Sequence, residues 1–198
     1  AVVLIFAFTN GSGYFTLGNF FGFFKSSRTI ATLVYSLFVA FVTTVICLLI
    51  AYPTAMALAR SGFKRKNILL ILAIVPMWIN FTLRITAMKE VLDAIEGNLA
   101  YYPFLNTIIG QVYDFLPFMI LPLFNVLDEM DMSLLEAGRD LGADRRSLFF
   151  SVILPLSKPG IMSGITMVFL PAMTNYVVLD MLYNSTYIMG SLIGSYFN

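Results

Sequence analysis

Long apolar runs separated by short polar clusters set the rhythm of this chain. Residues 29–59 hold no charge, and their length exceeds the roughly 20 apolar residues an α-helix needs to cross a hydrocarbon core. Residues 68–85, 105–127 and 161–182 predict three further spans. The run 1–8 reads as the tail of an earlier span and 187–198 as the start of a later one. The predicted fold is all-α: a polytopic membrane helical bundle of about five to six spans with truncated ends. It is read as a single transmembrane domain over 1–198. No basic start leads into a small-residue cleavage site, so no signal peptide is expected.

Composition agrees with that location. Hydrophobic residues make up 59% of the chain and charged residues 12%, against roughly 45–50% and about 25% in soluble domains. A net charge of +1 gives no sign of a nucleic-acid partner. With no histidine and one cysteine, Cys47, the chain cannot form an internal disulfide and lacks the donors of a His/Cys metal site. Cys47 reads as a small buried hydrophobe. Loop charge sets the orientation. Arg60, Lys64, Arg65 and Lys66 cluster in one loop, and Arg139, Arg145, Arg146 and Lys158 in another. Segments 61–67 and 128–158 are therefore expected in the cytoplasm, and Glu90, Asp93 and Glu96 outside.

The second loop is the least membrane-like part of the chain, running EAGRDLGADRRSLFFSVILPLSKPG from 136 to 160. Ser133 and Glu136 have capping-box spacing, which predicts a helix over 134–141 ended by Gly142. Asp144 is placed to cap a second helix with Leu148, Phe149 and Val152 on its apolar face, and Pro155 and Pro159 are expected to break it. Two short helices would then lie across the membrane surface, with Ala137 and Gly138 small enough for close approach. Such a segment is either bundle packing or a docking element for a soluble partner.

Glu136-Ala137-Gly138, Gly142 and Val152-Ile153-Leu154-Pro155 resemble the EAA motif of binding-protein-dependent ABC importer permeases. Gly138 stands for the motif's second alanine and Val152 for an isoleucine. The resemblance implies a MetI-like, type I importer transmembrane domain in the bacterial plasma membrane. Its coupling helix docks the ATPase through Glu136, Ala137, Gly138, Arg139, Asp140, Gly142, Ala143 and Pro155. It also implies two ATPase subunits, a second permease subunit forming a heterodimer, and an extracytoplasmic substrate-binding protein. ATP and Mg would be bound by the ATPase, with no cofactor in this chain. From residue 26 onward, the stretches VPMWINFTLRITAMK, LPFMILPLF, LLEAGRDLGA, ILPLSKPGI and FLPAMTNYVVLDML are similar to spermidine/putrescine permeases, the B-type subunit. A short outer loop after the third span departs from that pattern.

Candidate pathway residues are polar or aromatic groups at membrane depth. By rise per residue, Trp78 is placed ~15 Å into its span, near the midplane. Tyr176 and Asp180 are four apart and share a helix face. Asp114 lies in the outer half of its span, with Arg84 as a possible partner and that pair as a possible outer gate. Aromatic faces and carboxylates suit a flexible polyamine cation. The resemblance supports Trp78, Tyr176 and Asp180 in that role and is silent on Asp114. Trp78 as simple bundle packing, Asp180 as an interfacial residue and Asp114 as a structural ion-pair partner remain open beside it. A permease for ferric iron, thiamine or an anion is the alternative. An intramembrane enzyme is disfavoured because Ser36, Ser163 and Thr166 have no nearby base, and a passive channel has no use for a docking segment.

Overall fold

The computed structural model describes residues 8, 14–17, 24–25, 27–61, 66–97 and 102–183. The predicted flanking runs 1–8 and 187–198 lie outside these residues, apart from Phe8. Among the described residues, three helices are long and apolar enough to cross a membrane. Helix α1, Ser27–Ala59, contains the expected first span. Its inward face carries Ala40, Cys47, Ala51 and Ala55, all fully buried. Small side chains let helices approach closely where no hydrophobic effect drives them together. Its other faces expose Val34, Phe38, Phe41 and Leu49, as a lipid-facing surface requires.

The expected span over 68–85 is instead an elbow. Helix α2, Lys66–Ile74, passes through a 3-10 turn at Val75–Trp78 and stops at extended Ile79. Helix α3, Phe81–Glu96, then leaves at 95°. Two residues cause the break. Pro76 lacks an amide for the α-helical ladder. Asn80 caps the new helix, its side chain accepting from the Thr82 amide at 2.9 Å, which starts a helix as well as ending one. Helix α3 closes at Gly97, whose φ of +70° favours glycine.

Helix α4, Pro103–Asp128, is the hub against which α1 and the last long helix pack. The segment expected in the cytoplasm follows as α5, Ser133–Asp140, and α6, Arg145–Leu148. Contrary to expectation, Pro155 and Pro159 do not break the chain. A π-helical turn over Phe149–Ile153 joins α6 to α7, Leu154–Thr174, so Arg145–Thr174 runs on without interruption. The Leu154 amide reaches back to the Phe149 carbonyl, one residue further than in an α-helix. That wider turn makes room for the Pro155 ring, which would otherwise strike the carbonyl one turn back.

On α7, Gly160 and Gly164 face α4. A Cβ at Gly160 would sit 2.9 Å from the Pro122 carbonyl oxygen, and one at Gly164 would sit 2.5 Å from Met119 Sδ. This is the small-xxx-small contact of membrane helices. The expected span over 161–182 also breaks, at Asn175, and helix α8, Tyr176–Tyr183, follows. Val178 and Leu182 of α8 cluster with Ile85 and Leu92 of α3. Gly110 of α4 admits the Leu182 side chain where any Cβ would collide.

Candidate functional site

Two regions concentrate polar chemistry. The first is the end of the bundle where 61–67 and 128–158 were expected to meet the cytoplasm. Lys66 and Asp128 form an ion pair there. The Arg60 guanidinium points to the sulfurs of Met130 at 3.4 Å and Met132 at 3.6 Å. Burial lowers the Arg60 pKa, and the nearby positive charge of Arg139 lowers it further.

The capping box is not the device that starts α5. Ser133 is the first helical residue and Met132 precedes it without a side-chain cap. The Asp131 carboxylate accepts from the Ser133 amide at 2.9 Å instead, and this bond holds its pKa below the ordinary carboxylate value. The helix ends as expected at Gly142, with φ of +81°. Gly142 donates to the Arg139 carbonyl at 2.8 Å and Ala143 to the Gly138 carbonyl at 3.0 Å, the paired bonds of a Schellman closure. Asp144 then caps α6 through the Ser147 amide at 2.9 Å.

Glu136, Ala137, Arg139, Asp140, Gly142 and Pro155 are exposed, and Gly138 and Ala143 are half-buried. Gly138 is small for a different reason from the one expected. A Cβ there would lie 2.5 Å from Leu148 Cδ2, so its smallness lets α5 fold back on α6. At the apex of the turn Leu141 is 89% exposed. Nor do two separate helices lie across the surface, because α6 is the first turn of the continuous rod that includes α7.

The second region is a buried polar row on α4: Asn106, Thr107, Gln111 and Asp114, spaced to share one helix face. Asn106 Nδ2 donates to Glu96 Oε2 at 2.9 Å. Asp114 is in an ion pair with Arg84, and both side chains are more than nine-tenths buried. These contacts pin both ends of α3 to α4. Gln111 serves α1 and α7: its Oε1 accepts from Thr43 Oγ1 at 2.9 Å, and its Nε2 donates to the Ala172 carbonyl at 3.3 Å. Because the helix breaks at Asn175, Ala172 has lost its own ladder partner. The Gln111 amide takes that place.

Among the expected pathway residues, the structure joins Arg84 to Asp114. Trp78 lies at the elbow, 89% exposed. Tyr176 and Asp180 share helix α8 as expected, and their side chains lie outside the described residues. Sequence reasoning missed Asn106, Thr107 and Gln111. Their recurrence at helical spacing with Asp114 was the available signal. Among the described residues no cluster of acidic or cysteine side chains could hold a metal.

Residues 50–198 match the model of the family described as "Binding-protein-dependent transport system inner membrane component". The chain is 42% identical over 177 residues to the spermidine/putrescine transport system permease protein PotB of Haemophilus influenzae, covering 82% of this chain and 62% of that protein. It is 38% identical over 164 residues to PotB of Escherichia coli, covering 76% and 60%. A PotB homolog of Mycoplasma genitalium is 32% identical over 164 residues, covering 78% and 57%. The chain thus spans about three-fifths of the length of the curated relatives it matches.

Proposed function

From the premise that the chain belongs to the family of binding-protein-dependent transport system inner membrane components, we propose that it is the membrane-spanning subunit of an ATP-driven polyamine importer. The observation that carries the solute assignment is the 42% and 38% identity to two spermidine/putrescine permeases. In this reading the chain performs no covalent chemistry. The exposed turn from Glu136 to Ala143 docks a separate ATPase, which binds ATP and Mg. A second permease subunit completes the pathway, and an external binding protein delivers the solute.

The mechanics follow from the fold. Helix α6 continues through the π turn into α7, so a pull on the cytoplasmic turn is applied directly to a membrane-crossing rod. That rod meets α4 at Gly160 and Gly164, and its far end is tied to Gln111 through the Ala172 carbonyl. Displacement of the turn would therefore reach the polar row and the α8 break. ATP binding drives the change only if the ATPase prefers one arrangement of the turn to the other. Trp78, Arg84, Asp114, Tyr176 and Asp180 are the candidate pathway residues.

The test is ATP-driven uptake of labelled putrescine and spermidine by proteoliposomes holding the assembled importer. Unlabelled polyamines should compete, while thiamine, ferric iron and anions should not. Competition by one of the latter instead would reassign the solute and keep the machine.

A further inference from the structure

We infer that Asp114 is an exchangeable counter-ion, held by Arg84 while the pathway is empty and taken over by an ammonium group of the substrate. This rests on the polyamine reading above. Three features of the pair point to exchange rather than to a permanent tie.

First, Arg84 is poorly satisfied. Its side chain is 6% exposed and that of Asp114 is 3%. One guanidinium nitrogen, Nη2, donates to Asp114, while Nε and Nη1 are buried without a hydrogen-bond partner. A buried ion pair is secure only when its remaining donors are also satisfied. Second, Arg84 lies in the first turn of α3, where the helix dipole opposes a positive charge. Its other electrostatic neighbour is the Phe81 ring, with the guanidinium carbon 6.0 Å from the centroid. Among the described residues, the carboxylate that pairs with it is that of Asp114.

Third, the pair joins parts that can separate. Asp114 belongs to the hub helix α4, whereas Arg84 belongs to α3, the short arm beyond the Ile79–Asn80 break. Apart from this pair and the Asn106–Glu96 bond, α3 is held by the small apolar cluster around Ile85, Leu92, Val178 and Leu182. An incoming ammonium offers Asp114 the charge that Arg84 supplies, so the carboxylate stays compensated while Arg84 is released. Substrate entry would then loosen α3 at the elbow that carries Trp78. Arg84 is in this sense a positioning residue for the site, and Asp114 is the group that touches substrate.

The test is the KM of ATP-driven putrescine uptake by the reconstituted importer, normalised to folded complex. Asp114→Asn removes the counter-charge and is expected to raise KM about tenfold, the equivalent of one charge-assisted contact. Arg84→Lys keeps the charge but loses the planar fork that grips a carboxylate, so KM should fall. Variants that change yield or maximal rate and leave both KM values unmoved would overturn the exchange, since a purely structural pair predicts that result. If Asp114→Asn fails to assemble, the direction of the Arg84→Lys shift decides alone. A wild-type importer that takes up no polyamine would overturn the underlying reading and the exchange with it, whereas wild-type uptake with unmoved KM values sinks the exchange only.

Discussion

The exposed turn at Gly142 and the polar row on α4 use similar residues under opposite conditions. In the turn, Glu136, Arg139 and Asp140 stand in solvent, where a charge costs little and a surface ion pair contributes little. Its shape comes from backbone devices: an aspartate at each helix start and Gly142 between the helices. In the row, the polar groups are buried: Asn106 and Asp114 hold α3, and Gln111 holds α1 and α7. Exposed charges of the first kind are free to face a partner. Buried ones of the second kind hold the bundle's broken spans, and change to them alters the fold.

Substitutions should separate the two regions clearly. The largest effect is expected from Arg84→Met, which leaves the Asp114 carboxylate buried and uncompensated. A loss on the order of 3–5 kcal/mol is expected, read as thermal unfolding of the purified protein in detergent. An unfolding midpoint equal to wild type would show that the pair is solvated and the contrast wrong. Next is Gly160→Leu, whose Cβ meets a backbone carbonyl that cannot swing aside. Overpacking of this kind costs about 1–3 kcal/mol, and the same assay should show it.

Gln111→Leu strips the Ala172 carbonyl and the Thr43 hydroxyl of their shared partner. One unsatisfied buried group costs about 1–3 kcal/mol. Hydrogen exchange should quicken selectively around the Asn175 break, and uniform exchange would contradict the assigned role. In the turn, Glu136→Ala should move stability by no more than about 0.5 kcal/mol, yet uncouple ATP hydrolysis from uptake. The smallest effect concerns pH. The Asp131 pKa is lowered by its bond to the Ser133 amide, so its contribution to α5 is present above the ordinary carboxylate value. It is lost as pH falls through the lowered one. A lower protection of the Ser133 amide, relative to its intrinsic exchange rate, on acidification, damped in Asp131→Asn, is the expected signature.

Part of this contrast was legible from residue order. The uncharged run 29–59 gave the first span because length and hydropathy suffice for a straight helix. Gly142 and Asp144 announced the turn because their effect is local. The elbow was hidden because hydropathy sees 68–85 as one apolar run, whereas Asn80 ends it by capping the next helix. Pro155 misled for the opposite reason: a wider turn absorbed its ring, and nothing in the local sequence specifies that accommodation. The small side chain at Gly138 suggested an external contact, but Leu148 occupies the space. Asp114 stands out in the sequence as a charge in an apolar run, whereas the roles of Asn106 and Gln111 depend on partners that only α3 and α7 supply. The docking role proposed for the turn rests on family likeness, not on periodicity.

We propose that the exposed turn is where a nucleotide-hydrolysing subunit takes hold. A photo-crosslinker placed at Ala137 or Arg139 in native membranes tests it most directly. Capture of an ATP-binding protein, with a yield that changes when nucleotide is added, is the predicted result. Crosslinks that reach only lipid or this chain itself, from a subunit still active in uptake, would contradict it.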